Sequence, residues 1–144
     1  MAGEELTGSY RVRVIRPALH KAYKMFRKCR DQMEVREQAL KLRYWPKRTV
    51  MADNGELLDL NWSWVESLKD LRIGELRIDD KIGGQDNLRI IFFEGDKAVR
   101  EPLPMMWVLD LLAKKKTYFT ANELQIFRAR RTLVIERFYK NRDN

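Results

Sequence analysis

Two arginines, Arg77 and Arg89, lie in segments where apolar and polar residues alternate, Glu75–Asp79 and Leu88–Ile90. Alternation with a period of two is typical of a half-buried β-strand, and the turn residues between the two segments predict a hairpin. If the turn centres on Gly83, the register sets Arg77 opposite Arg89 on the polar face. Facing cations destabilise a strand pair. We therefore expect an anion between them, and a guanidinium is suited to gripping a phosphate. The alternative is a pair of solvated arginines bridged to Glu75, Asp79 or the C-terminal helix.

The same register decides which side chains enter the core. A slip by one residue would turn every side chain to the other face, and with the turn at Gly83 the apolar residues of both strands share one face. The pairs are Leu76 opposite Ile90 and Ile78 opposite Leu88. Glu75 and Asp79 then share the polar face with Arg77, which offers a carboxylate as a general base.

Further basic residues follow the next predicted strand. Met105–Leu109 is almost continuously apolar, up to Asp110, which indicates a central strand covered on both faces. Thr120 and Glu123 then fit a capping box that begins a last helix. The cations in this part are Lys114, Lys115 and Lys116 after the strand, with Tyr118 nearby, and Arg128, Arg130 and Arg131 on the helix. A solvated strand end and a solvated helix face stay open as the alternative.

The composition favours an anionic partner. In 144 residues, Lys plus Arg number 29 against 21 Asp plus Glu, a net charge of +8, which suits a polyanion or an acidic protein. Cys29 is the single cysteine and His20 the single histidine, so a disulfide, a zinc site or a catalytic triad is poorly supported. No apolar run approaches membrane-spanning length, and the N-terminus lacks the pattern of a signal peptide. We expect a cytoplasmic protein without metal or cofactor.

The remaining pattern predicts the elements before residue 75. They are a strand at Tyr10–Val14, a long helical stretch from Leu19 to Tyr44 with Cys29 on its apolar stripe, a connection at Arg48–Gly55 and a second helix at Glu56–Leu71. Trp62, Trp64 and Trp107 are expected in the core, and His20 on the surface. The expected fold is α+β: one domain, residues 1–144, with a small, mainly antiparallel sheet. Two N-terminal helices and a C-terminal helix pack on one face of it, and residues 1–9 are loosely held.

Several of these segments resemble toxins of the RelE/HigB type within the RelE/ParE toxin–antitoxin superfamily. Leu71–Arg77 and Asn87–Phe93 resemble the two hairpin strands of that family. Met106–Leu112, Lys114–Thr117 and the segment from Thr120 to Arg131 resemble its closing strand, its basic turn and its arginine-rich last helix. The likeness covers residues 71–131 by motif and the whole chain by element order.

The resemblance implies a type II toxin that cuts messenger RNA on the ribosome and is silenced by a cognate antitoxin. Its chemistry would be metal-free: the 2′-hydroxyl attacks the adjacent phosphate, leaving a 2′,3′-cyclic phosphate and a 5′-hydroxyl. On this reading Arg89 stabilises the phosphate and Arg77 clamps it. The group Lys114–Lys116 supplies a general acid, Lys115, or further clamps, and Tyr118 stacks on a base or assists proton transfer.

The chain also departs from the family pattern. No lysine, histidine or tyrosine occupies the Glu75–Asp79 strand as a general base, and Lys116–Phe119 differs from the common basic turn. Two other functions therefore stay open. One is a ParE-like inhibitor of DNA gyrase, which would share the fold. The other is a non-catalytic basic module that binds RNA.

Overall fold

The computed structural model describes residues 9–96 and 103–140, and within them seven strands and three α-helices. In chain order these are β1 (Arg11–Val14), α1 (Arg16–Met25), α2 (Cys29–Leu40), β2 (Thr49–Met51), β3 (Leu57–Asp59), β4 (Asn61–Trp64), β5 (Ile73–Ile78), β6 (Leu88–Glu94), β7 (Met105–Ala113) and α3 (Ala121–Val134). Two 3-10 segments, Lys41–Tyr44 and Glu66–Leu71, and a π-helical segment, Ile135–Lys140, accompany them. The prediction for residues 1–9 falls almost wholly outside the described residues.

Five strands form one mixed sheet in the order β1-β7-β6-β5-β4. The pairs from β4 to β7 are antiparallel, whereas β1 runs parallel to β7 at one edge. Strands β2 and β3 form a separate two-stranded sheet around the turn at Gly55. The α+β class is therefore confirmed.

The helices cover both faces of the five-stranded sheet, and the prediction that they share one face is wrong. Because side chains alternate along a strand, neighbours in β6 enter different cores. Leu88, Ile90 and Phe92 pack with α1 and α2, whereas Ile91 and Phe93 pack with α3. Both faces of β7 are buried for the same reason, as its continuous apolarity predicts.

The hairpin that carries the two arginines has the predicted register. Leu76 pairs with Ile90, Ile78 with Leu88, and Arg77 with Arg89. Gly83 and Gly84 have φ of 57° and 80°, a region that glycine enters without the steric cost of a Cβ. The capping box of α3 is also confirmed: the Glu123 amide donates to Thr120 Oγ1 at 3.1 Å, and the Thr120 amide donates to Glu123 Oε1 at 2.8 Å.

The predicted helix at Glu56–Leu71 is wrong. This segment forms β3, β4 and a 3-10 turn. Its apolar side chains that pack into the α1–α2 core recur at every second position, which is the period of a strand rather than a helix. They are Leu58, Leu60, Trp62 and Trp64.

The predicted helical stretch from Leu19 to Tyr44 is broken into α1 and α2. Phe26 has an extended backbone, with φ −127° and ψ 101°, and its side chain is fully buried. The Gln32 side-chain Nε2 donates to the Phe26 carbonyl at 2.8 Å and satisfies this acceptor at the broken end. After the break Cys29 is exposed, so its predicted core position is wrong. No helix in the described ranges is long and apolar enough to pass through a lipid bilayer.

Candidate functional site

Glu75 lies between the two arginines of the hairpin. Its Oε1 is 2.9 Å from Arg77 Nε and 3.4 Å from Arg89 Nη1. All three side chains point to the α3 face of the sheet, where Ile73 and Ile91 lie farther along the same strands. The anion that the facing arginines require is therefore supplied by the chain itself. With one carboxylate and two guanidinium groups, the cluster carries one net positive charge.

Arg89 is the buried arginine of this cluster. Its side chain is 6% exposed, its Nη2 donates to the Lys116 carbonyl at 2.7 Å, and the guanidinium lies 5.5 Å from the Phe119 ring centroid. Nη1 makes no hydrogen bond to any residue that the structure describes. A substrate phosphate has no access to this guanidinium in the present arrangement. The side chain instead ties the Lys114–Lys116 segment to β5 and β6.

Arg77 is the accessible member of the cluster. Its side chain is 45% exposed, and Glu75 accepts a hydrogen bond from Nε only. The two terminal nitrogens make no hydrogen bond within the part of the chain that the structure describes. A guanidinium held by Nε presents a fixed pair of donors, which is the geometry that grips two phosphate oxygens.

A polar cavity of about 510 Å³ lies beside Arg77. Its charged lining comprises Glu37, Glu56, Asp59, Asp79 and Asp80, with Lys41, Arg43 and Arg77. Carboxylates outnumber cations there, so the cavity itself is a poor path for a polyanion. Asp79 and Asp80 are both exposed and line the same cavity as Arg77. Asp79 is two residues from Arg77, so the alternation of a strand would set it on the same face as Arg77.

The lysines after β7 differ in exposure. Lys114 is 11% exposed, pairs with Glu123 at 2.9 Å and lies 5.7 Å from the Phe119 ring centroid. Lys115, Lys116 and Tyr118 are exposed. Burial alone would raise the pKa of Glu123, but hydrogen bonds from the Thr120 amide and the Lys114 ammonium outweigh it and lower that pKa. Lys114 is thus engaged internally, and the other two lysines face solvent.

The arginines of α3 are divided in the same way. Arg130 Nη1 donates to the Leu109 carbonyl at 2.8 Å, and Arg131 Nε donates to the Leu71 carbonyl at 2.8 Å. Burial lowers the pKa of Arg131. Arg128 is exposed. Of the three predicted RNA-binding arginines, Arg130 holds the helix to β7, Arg131 holds it to the 3-10 segment before β5, and Arg128 is presented to solvent.

Asp110 is a buried acid whose role the sequence analysis missed. Its carboxylate lies 3.2 Å from Lys21 Nζ and 3.2 Å from Arg130 Nη1, and it accepts the Leu111 amide at 2.8 Å. It thereby joins α1 and α3 across the edge of β7. The available signal was a single acid inside an otherwise apolar strand, since a buried charge requires partners.

An apolar groove of about 400 Å³ lies between α1, α2 and the sheet. Leu19, Tyr23 and Met33 line it, and all three are exposed although they belong to the predicted apolar stripe. Val14 lies at the same groove and is also exposed. Among the described residues, Arg36 is the one charged side chain that lines it. We call this feature the helix groove.

Comparison of the chain with protein-family models, with curated proteins and with solved structures found no match. Its function must therefore be argued from the site. No group of three or more histidine, cysteine or acidic side chains in the described ranges is arranged to hold a metal ion.

Proposed function

We propose that the chain is an RNA-cleaving toxin of the RelE/HigB type, an endoribonuclease that acts on messenger RNA and inhibits translation. The observation that carries the proposal is the position of Glu75. It fixes the exposed guanidinium of Arg77 on one side and the buried Arg89 on the other. Arg89 in turn holds the backbone of Lys116. Two exposed cationic segments are thus held at the same end of the sheet by one buried side chain.

In this proposal Arg77 grips the scissile phosphate and stabilises the charge of the phosphorane. Asp79 takes the proton of the 2′-hydroxyl as O2′ attacks phosphorus. The P–O5′ bond breaks, and Lys115 or Lys116 supplies a proton to the leaving 5′-oxygen. The products are a 2′,3′-cyclic phosphate and a 5′-hydroxyl. Because Asp79 and Arg77 both line the polar cavity, we place the scissile phosphate at the mouth of that cavity. The other carboxylates of the cavity repel a polyanion, so we place the rest of the RNA toward the lysines.

The proposal changes the role of Arg89. Arg89 is 6% exposed and acts as a positioning residue. It holds Glu75, and through it Arg77, at a fixed distance from the Lys116 backbone. Direct phosphate contact passes to Arg77, with Lys115 and Lys116. Tyr118 is exposed, and its ring lies 5.7 Å from Lys116 Nζ, which suits it to stacking on a base beside the cleaved bond.

The test is messenger RNA cleavage in a translation reaction with purified protein. Wild type should produce fragments that end in a cyclic phosphate. Arg77→Ala should lower the cleavage rate by roughly 10²–10³-fold, the usual effect of removing one donor to a developing charge. Arg30→Ala, which removes an exposed arginine on the opposite face, is the matched control. Cleavage at wild-type rate by Arg77→Ala would refute the assignment.

The proposed partner is an antitoxin that lays an acidic amphipathic helix in the helix groove. A groove with exposed apolar residues suits such a helix, and Arg36 together with the exposed Lys24 of α1 favours acidic residues on it. The antitoxin is sought as the product of a short reading frame adjacent to the gene for this chain. The double variant Tyr23→Glu/Met33→Glu should escape neutralisation of its toxicity by that protein. Lys81→Glu is the control. Neutralisation unchanged in the double variant would exclude the groove.

A second candidate is a non-catalytic RNA-binding module, and the burial of Arg89 favours it. This candidate predicts RNA binding that weakens with salt, without cleavage products. The cleavage assay separates the two candidates. Gyrase inhibition of the ParE kind stays a prediction, which intact messenger RNA together with DNA damage in induced cells would support.

A further inference from the structure

A second basic segment precedes and includes β2. Between Lys41 and Ala52 the chain carries no acidic residue. Arg43, Lys47 and Arg48 in this stretch are exposed. The Lys47 amide donates to the Tyr44 carbonyl at 3.1 Å, so the backbone turns here and keeps the three cations in one short segment.

Trp62 holds one of these cations, Arg48, in place. The Arg48 guanidinium lies 4.5 Å from the Trp62 ring centroid, and its Nη1 donates to the Trp62 carbonyl at 2.6 Å. The Trp62 indole N–H donates in turn to the Pro46 carbonyl at 3.1 Å. The Trp45 ring lies 5.1 Å from that of Trp62. Arg48 is therefore held over a half-buried ring that is itself anchored in the core.

A comparison with Arg72 shows what Arg48 lacks. Arg72 also lies over a tryptophan, 4.6 Å from the ring centroid of Trp64, but Glu94 neutralises it. In the ranges that the structure describes, no carboxylate lies within 4 Å of the charged groups of Arg43, Lys47 or Arg48. Two similar arginine–tryptophan contacts thus differ in charge balance, and the unneutralised one adjoins two more cations.

We propose that Arg43, Lys47, Arg48 and Trp62, the arginine–tryptophan surface, bind single-stranded RNA. A guanidinium plane fixed over an indole is a platform on which an unstacked base can lie. Arg43 and Lys47 contact the phosphates on either side of that base. Arg43 reaches the polar cavity that Arg77 also lines, but Trp62 packs on the α1–α2 side of the sheet, opposite the side to which Arg77 points. The surface goes beyond the proposed function, because it binds RNA whether or not the chain cleaves it.

The test uses a fluorescein-labelled RNA of twelve nucleotides with 2′-O-methyl groups, which no 2′-hydroxyl attack can cut. Binding to the full chain is measured by anisotropy across a series of salt concentrations. Arg43→Ala/Lys47→Ala/Arg48→Ala should reduce the slope of log affinity against log salt by about 1.4, since each of the two single-strand phosphate contacts contributes about 0.7. The control Arg27→Ala/Lys28→Ala/Arg30→Ala removes the same charge elsewhere. Equal loss of slope in both variants overturns the proposal.

Arg48→Lys isolates the stacking contribution. The charge stays, so the salt slope should be unchanged, but affinity should fall roughly tenfold, as expected for the loss of one stacked base. Quenching of tryptophan fluorescence by the RNA should fall with it. Urea unfolding midpoints equal to that of wild type exclude disruption of Trp62. Affinity unchanged in Arg48→Lys, or equal affinity for a twelve-base-pair duplex, overturns the proposal.

Because the probe cannot be cleaved, this result is separate from that of the nuclease test. Arg77→Ala should leave anisotropy binding through the arginine–tryptophan surface measurable while cleavage of ordinary RNA is lost. If wild type cleaves RNA and the arginine–tryptophan variants bind the probe as wild type does, the proposed RNA-binding surface is refuted and the proposed nuclease activity is supported. If binding depends on the arginine–tryptophan surface and wild type cleaves no RNA, the proposed RNA-binding surface is supported and the proposed nuclease activity is refuted.

Discussion

Replacing Glu75 with leucine should destabilise the fold strongly, because it leaves Arg89 buried without its carboxylate. The Glu75 and Arg89 side chains are 5% and 6% exposed. After the change, the hydrogen bond to the Lys116 carbonyl is the polar contact that Arg89 retains. Removing one partner of a buried ion pair costs about 3–5 kcal/mol. Arg77 is 45% exposed, so water takes over its solvation and it adds little to this cost.

Urea unfolding followed by tryptophan fluorescence measures this cost. With a slope of about 2 kcal/mol per molar urea, a typical value for a small domain, the midpoint should fall by about 2 M. Arg77→Leu is the control and should lose less than about 1 kcal/mol. Glu75→Leu/Arg89→Leu should recover most of the loss, because replacing both members of a buried pair with apolar groups is often neutral.

Two results would refute this reasoning. A loss below about 1 kcal/mol for Glu75→Leu would mean that Arg89 reaches water, so that it is free to meet a phosphate after all. A double variant no more stable than Glu75→Leu would mean that the carboxylate acts through some other contact than the one with Arg89.

Three further predictions concern charged and phenolic groups elsewhere. The pKa of Glu123 is lowered in the folded state from its ordinary value of 4.5. On acidification the unfolded state therefore takes up the proton first. The contribution of ionised Glu123 to the free energy of unfolding is complete above about pH 4.5 and is lost on further acidification. Between pH 6 and pH 3 the urea midpoint of Glu123→Gln should fall less than that of wild type. Burial and the hydrogen bond to Glu94 raise the pKa of Tyr10 well above 10, so stability should fall above about pH 10, and Tyr10→Phe should reduce that fall. Asp110→Asn should cost about 1–3 kcal/mol in urea unfolding, because Lys21 and Arg130 lose the charge between the helix layers; a midpoint equal to wild type would contradict its role.

The second half of the fold was predictable because its signals are local. The alternation in β5 and β6, the glycines of the turn and the capping box each act within a few residues, and all three are confirmed. The first half depends on distant contacts. Trp62 and Trp64 belong to β4 because that strand pairs with β5 and because their rings pack on Trp45 and Phe92. A helical pattern in the same residues competes with that pairing, and tertiary packing decides between them.

The candidate site was predicted in its residue types but not in its depth. Register placed Arg77 and Arg89 side by side, yet it does not distinguish a strand position under a loop from one in solvent. Arg89 is buried because Phe119 and the Lys116 backbone lie over it. That cover depends on how α3 and the residues before it pack on the sheet. An ion pair with Glu75 was the alternative that the sequence offered to a phosphate between the arginines, and the structure shows Glu75 beside both of them.

The burial of Arg89 restricts which groups could contact RNA in the proposed nuclease. A buried guanidinium cannot rearrange to follow a phosphate, so the proposed cleavage depends on the exposed cations Arg77, Lys115 and Lys116. These belong to two segments far apart in the chain, and small errors in position cost a large part of a catalytic rate. Arg89 spans them, because its fork reaches Glu75 with one nitrogen and the Lys116 carbonyl with another. In this proposal Arg89 contacts no substrate but affects the cleavage rate, because it sets the distance between Arg77 and the segment Lys114–Lys116.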